Sequence, residues 1–412
     1  GMGAYGATPF KMQGGATSFA NLASSYINSV DGYLYAAGSN HHGQFGIGSG
    51  GTGTSGGMTS FVKVGTTTTG GSPGGFKNPI DYSFGSGGMS GASDSYTSGI
   101  VVDSSGKVWT AGYNGNYALG LGSTSTYPAS SSYYYFRTVA TSNSGNYLPA
   151  NYQAVAVSSS GENGSQANLI LTSTGALYGA GQSSFLGGAA TTTGYFVRLD
   201  GVVSNLPAAT TSNKIVDFSC GYQCSYVLYS NGDLYRLGSS AILAAKNITM
   251  FDVESGNSST YVRAVNSSNK ILYRAGSSTT VATASSPSNG WTTVTPTGTV
   301  TQIRGAITGW GYLNSAGALY LSSTDTGTPS TSSSYNSGVT YFDLAGSGPS
   351  YGIIQNGVTK FWGGNYHGGL GNGSTGTVSV SSPFTPSNVD TSYYVQTPTG
   401  PGDISNSPPA FS

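Results

Sequence analysis

Apolar and polar positions alternate along this chain in short runs, and the runs come in pairs. Residues 98 to 112 read SGIVVDSSGKVWTAG, an apolar stretch, a Gly turn, then a second stretch ending in an aromatic, a small residue and Gly. Two β-prone runs joined by such a turn predict a β-hairpin. The second run recurs as DGYLYAAG (31–38), SGKVWTAG (105–112), TGALYGAG (174–181), NGDLYRLG (231–238) and NKILYRAG (269–276), with weaker copies AGALYLSS (316–323) and NGVTKFWG (356–363). Its apolar partner precedes it, as in ANLILTSTG (167–175), CSYVLYSNG (224–232), GWGYLNSAG (309–317) and SYGIIQNG (350–357). Seven hairpins in one chain predict a closed all-β array.

Three copies carry a longer signature. Aligning Gly38, Gly112 and Gly363 places Asn40, Asn114 and Asn365 in one column, then Phe45, Leu119 and Leu370, then Gly46, Gly120 and Gly371, then Gly48, Gly122 and Gly373. The pattern G-x-N-x-x-x-x-[FL]-G-x-G resembles the repeat of the regulator of chromosome condensation (RCC) family, over residues 25 to 375. The resemblance implies a seven-bladed β-propeller, with close blade contacts where Gly leaves no Cβ. The apolar residue four before the repeat Gly, and the Phe or Leu after it, are expected to fill the space between blades. The middle copies keep Gly181, Gly238 and Gly276 but lack the Asn and the LGxG tail, and Ser323 replaces Gly in the sixth. Their shorter spacing predicts trimming of blades four to six.

Composition then bears on partners. Only 7% of residues are charged, the formal net charge is zero, and 30 Tyr, 15 Phe and 4 Trp argue against disorder. The 14 basic residues form no stripe, which excludes nucleic acid and acidic lipid as main partners. No apolar run is long enough for a membrane-spanning helix, and no signal peptide is read in the first residues. A neutral surface favours association.

Long insertions fall in the first three repeats: residues 46 to 80, 120 to 150 and 185 to 215. The second contains Tyr133, Tyr134, Tyr135 and Phe136. Tyr among Ser and Gly is the chemistry of antibody binding loops, so these four are candidate binding residues for a glycan or a protein. The alternative is a strand packed on a neighbour. His41, His42 and His367 are the only histidines. His42 and His367 share a repeat column, so a two-histidine site across the closed ring is conceivable, against a structural turn role, and no metal is predicted. Cys220 and Cys224 form either a disulfide or two buried thiols. With Glu162 and Glu254 the only glutamates and no nucleophile near a base, no catalytic residue or cofactor is predicted. Five N-x-[ST] sequons, at Asn163, Asn247, Asn257, Asn266 and Asn372, match what this composition produces by chance.

The expected organisation is an N-terminal segment (1–24) helping to close the ring, a propeller (25–390) and a Pro/Gly-rich C-terminal arm (391–412). The expected function is a non-enzymatic structural or binding component of a virion or extracellular assembly: a bacteriophage tail-fibre, receptor-recognition or surface-decoration protein. Its partners would be proteins of the same assembly and a host-surface glycan or protein. The alternative is a secreted or cell-surface adhesin or inhibitor. The exchange role on a small GTPase that the family resemblance implies would need a basic arm, which this sequence lacks.

Overall fold

A computed structural model describes residues 8–14, 23–49, 57–67, 74–85, 96–162, 164–189, 192–254 and 260–393. Seven antiparallel sheets follow one another along the chain. Blade 1 holds β1 (Phe10–Gly14), β2 (Ala23–Asn28), β3 (Leu34–Ser39) and β4 (Gly57–Lys63). Blade 2 holds β5 (Asp81–Phe84), β6 (Ser98–Val102), β7 (Val108–Tyr113) and β8 (Ser132–Thr138). Blade 3 holds β9 (Ala154–Glu162), β10 (Ser165–Thr172), β11 (Leu177–Gly181) and β12 (Val197–Arg198). Blade 4 runs β13 (Ile215–Cys220), β14 (Ser225–Tyr229), β15 (Leu234–Leu237), β16 (Ala241–Ala245), and blade 5 runs β17 (Ile248–Val253), β18 (Tyr261–Asn266), β19 (Ile271–Ala275), β20 (Thr292–Val294). Three strands each make blade 6, β21 (Val300–Gly305), β22 (Trp310–Asn314), β23 (Leu319–Ser322), and blade 7, β24 (Val339–Ala345), β25 (Ser350–Gln355), β26 (Val358–Gly363).

The seven repeat copies are the turn between second and third strands plus the third strand itself. The first strands touch in ring order, β1, β5, β9, β13, β17, β21, β24 and back to β1, so the array closes as a seven-bladed β-propeller. Trimming is confined to the fourth strands of blades 6 and 7; blades 4 and 5 keep all four, contrary to expectation. Blade 4 saves length in a loop, since only residues 238–240 separate β15 from β16. β1 lies inside the N-terminal segment and supplies the innermost strand of blade 1. The three early insertions supply β4, β8 and β12.

The core is divided. Seven apolar clusters occupy the seven seams between blades, among them Tyr26, Leu34, Phe45, Phe84 and Phe136 between blades 1 and 2. Phe10, Ile27, Tyr341, Phe361 and Leu370 fill the seam that closes the ring between blades 7 and 1. The residue four before the repeat Gly is buried in every blade: Leu34, Val108, Leu177, Leu234, Leu272, Leu319 and Thr359. A two-faced blade must cover both faces, and its neighbours do so.

Candidate functional site

An innermost strand leaves edge N–H groups that need partners. Six of the seven seams supply one from a polar side chain, and the seam of blades 4 and 5 instead bonds a backbone carbonyl. Gln13 Oε1 accepts from Phe84 N (2.9 Å), Asp81 Oδ2 from Val157 N (3.0 Å), and Ser158 Oγ from Cys220 N (3.0 Å). Ser219 Oγ donates to Val253 O (3.3 Å), while Asp252 Oδ2 accepts from Gly305 N (2.8 Å). Gln302 Oε1 accepts from Phe342 N (3.2 Å), and Asp343 Oδ2 from Met12 N (2.8 Å), completing the circuit. Lys11 Nζ, fully buried, pairs with Asp81 Oδ1 at 2.9 Å and donates to Tyr82 O. Burial pushes Asp252 up to about 6 and Glu254 up to about 8. Asp81, Asp252 and Asp343 thus serve ring cohesion.

The long signature forms a clasp. Asn40 Oδ1 accepts from Phe45 N (2.9 Å), Asn114 Oδ1 from Leu119 N (3.2 Å) and Asn365 Oδ1 from Leu370 N (2.9 Å), so each buried amide ties down its own turn. The following Gly has φ of +66°, +61° and +77° at Gly46, Gly120 and Gly371. A Cβ there would stand 2.3 Å from Phe136, 2.2 Å from Phe196 and 2.2 Å from Phe61, each on the next blade. The turn of blade 1 therefore grips blade 2, blade 2 grips blade 3, and blade 7 grips blade 1. Blade 3 keeps a shortened version that the alignment missed, with Leu186 buried and Gly187 at φ +68°.

The four aromatic candidates lie in β8, the outermost strand of blade 2, and split by alternation. Tyr134 and Phe136 face the clasp of blade 1: Phe136 is buried and meets Phe76 edge-on at 5.0 Å, while Tyr134 is 41% exposed. Tyr133 and Tyr135 share the other face with Arg137, all three half-buried. The guanidinium sits 3.6 Å from the Tyr135 ring centre, 4.9 Å from Tyr133 and 5.4 Å from Tyr127, which meets Tyr133 edge-on at 5.6 Å. Planar stacking of this kind is an arginine property and holds the cation rigidly. Burial lowers the Arg137 pKa from its ordinary value. Among the described residues no carboxylate pairs with it.

No protein-family model matches the chain, and no curated protein does. Solved structures do match in shape. Yeast RCC1 (Prp20), in its complex with Kap60, superposes with a TM-score of 0.57 over 85% of this chain and 83% of that one, at 13% identity. The fold is an RCC1-like seven-bladed β-propeller. Prp20p from Saccharomyces cerevisiae in a second structure gives 0.52 at 14% identity, covering 83% of this chain and 85% of that one. Human WBSCR16 gives 0.52 at 15% identity, covering 70% and 79%.

In this RCC1-like propeller the histidines stand apart. His42 Nδ1 lies 2.9 Å from Ser132 Oγ at the seam of blades 1 and 2, whereas His367 packs over Gly57 at the seam of blades 7 and 1. Closing the ring repeats the position without joining the two. His367 adopts φ +55°, as Asn116 does in the same column, a left-handed turn conformation in which His and Asn are enriched. Cys220 and Cys224 are buried free thiols, not a disulfide. Among the described residues no group of three or more His, Cys, Asp or Glu could hold a metal, and no helix is long and apolar enough to cross a membrane. Arg137 and Tyr127 were missed from the sequence. The i, i+2, i+4 spacing of Tyr133, Tyr135 and Arg137 was the signal for the first; the loop fold that brings in Tyr127 leaves none.

Proposed function

We propose that this chain is a non-enzymatic binding protein whose recognition surface is the Tyr127, Tyr133, Tyr135 and Arg137 cluster on the outer strand of blade 2. That cluster is the observation that carries the reading. Rigid, half-exposed rings around a cation offer contact area at low entropic cost. The inner-strand carboxylates and Lys11 are engaged in the seams, which supports a role without catalysis. Prp20p is described with its binding to Gsp1p and histones, and yeast RCC1 with Kap60, so propellers of this shape serve as protein-binding platforms.

The setting we infer is a virion or other extracellular assembly, with the chain as a phage tail-fibre, receptor-recognition or decoration component. Its neutral, Gly- and Tyr-rich composition supports this. Repetition in such an assembly turns weak contacts into avidity. The expected C-terminal arm, residues 391–412, lies outside the described residues except for 391–393. A secreted or cell-surface adhesin or inhibitor is the second reading, favoured by the same aromatic surface. Cryo-electron microscopy of the native source decides between them. A repeated, symmetric position on a particle supports the first, and free rings absent from particles overturn it.

A further inference from the structure

We infer that the Arg137 cluster takes a saccharide bearing a carboxylate. This rests on the reading of blade 2 as a recognition surface and names its ligand class. In a chain with 14 basic residues, Arg137 is placed on the outermost strand, half-buried, with no carboxylate partner among the described residues. The contrast within the molecule is informative. Arg198 pairs with Asp200 at 3.1 Å and Arg263 lies 3.5 Å from Asp325, although Arg263 too is held against rings, 4.5 Å from Trp310. Among the described residues Arg274, 4.6 Å from the Trp291 ring, also lacks an acid, but it is buried and donates to backbone carbonyls; Arg137 has the ring cage without the acid on a half-exposed strand.

The cage fixes what fits. Tyr135 covers one face of the guanidinium at 3.6 Å and Tyr127 and Tyr133 flank it. A pre-oriented guanidinium fork matches the two oxygens of a carboxylate and loses little freedom on binding it. Half-exposed tyrosine rings beside it provide flat apolar faces for the C–H side of a sugar ring and hydroxyls for its polar edge. An acidic sugar presents both features at this separation of one side chain.

The test is a glycan array with sialylated, uronate-containing, sulfated and neutral saccharides, probed with the full chain and with Arg137→Gln, Arg137→Lys and Tyr135→Ala, each shown folded by its thermal transition. We expect retention confined to carboxylated members, reduced at least tenfold by Arg137→Gln, less by Arg137→Lys, and reduced by Tyr135→Ala. Equal retention of neutral or sulfated saccharides, or binding unchanged in Arg137→Gln, overturns the carboxylate assignment while the blade 2 surface stands as a binding site if Tyr135→Ala weakens it. No retention of any saccharide by folded protein overturns the assignment; binding of a protein ligand that Tyr135→Ala abolishes would then preserve the recognition surface alone, and its absence would remove both.

Discussion

Replacing Asn365 by Ala should loosen the clasp that closes the ring. The amide is 2% exposed and makes four hydrogen bonds: Leu370 N to Oδ1 at 2.9 Å, and Nδ2 to Asn372 Oδ1 (2.9 Å), Ser374 O (3.0 Å) and Gly376 O (3.1 Å). Ser374 and Gly376 are exposed, so water can replace the amide at their carbonyls. Leu370 is fully buried, so its N–H is stranded. A stranded buried donor costs ~1–3 kcal/mol, and the other bonds add ~1 kcal/mol, for a total of about 3 kcal/mol. With an unfolding entropy of ~2.1 cal/mol/K per residue over this length, that lowers Tm by about 4 °C. Asn365→Asp discriminates the mechanism. Its carboxylate still accepts from Leu370 N but faces three acceptor oxygens, so it should be at least as damaging as Ala at neutral pH and recover as the carboxylate is protonated. Differential scanning fluorimetry at fixed scan rate, with urea midpoints as a check, reads both. A shift under 1 °C for Asn365→Ala, or an Asp variant matching the parent at pH 7, would refute the role given to the amide.

Three further outcomes follow from the same geometry. Gly46→Ala combines φ +66° with a Cβ 2.3 Å from Phe136, whereas Gly74→Ala, at φ +73°, meets nothing within 4 Å; urea midpoints should show ~1 kcal/mol lost at Gly74 and clearly more at Gly46, and equal losses would remove the clash. Folding raises the pKa of Asp252 to about 6 and of Glu254 to about 8, so the folded ring holds their protons more tightly; their contribution is complete below the unfolded values near ~4 and is lost as pH rises through 6 and 8, with about 3 kcal/mol from Asp252. Asp252→Asn with Glu254→Gln should therefore flatten that part of the stability profile between pH 4 and 8, and a slope unchanged from the parent contradicts this. Burial pushes Cys220 up to about 12 and Cys224 up to about 11, so neither should react with a thiol reagent at pH 8 until the chain is unfolded, when both do; reaction of the folded protein would argue against their burial.

The second and third strands of every blade were legible because both are apolar and joined by turns that announce themselves, as at Gly106 (φ +86°) and Gly232 (φ +92°). The innermost strands were not. Lys11, Gln13, Asp81, Asp252, Gln302 and Asp343 are polar or charged, yet all are buried, because their partners lie on another blade, from 40 residues away for Gln302 to 331 for Asp343. The short interval before Gly276 suggested a missing strand where a tight connection before β16 was the cause. Phe136 was legible as a packed aromatic and Tyr133 and Tyr135 as half-buried rings on the opposite face only through strand alternation, which needs β8 to be placed first. The ring of Tyr127 reaches Arg137 through a loop, and no periodicity encodes that.

The seam between blades 7 and 1 differs from the other six in one respect: the chain crosses it only after the last strand, in a segment that bridges Gly363 and Phe361 of blade 7 at Val378 and Phe384 and then Ser29 beside blade 1 at Val389. The sheet of blade 1 is built from residues 10 to 63 and that of blade 7 from residues 339 to 363, with neither lending a strand to the other. What spans the gap is the clasp at Gly371, the Asp343 to Met12 bond, and main-chain links such as Asp390 N to Asn28 O at 2.8 Å. Tension drawn between residues near 10 and near 390 would load this joint in the manner of a zip fastener, one small contact after another, because both handles lie beside it. Mechanical failure would begin here, opening the circle into a strip with its remaining blades still paired.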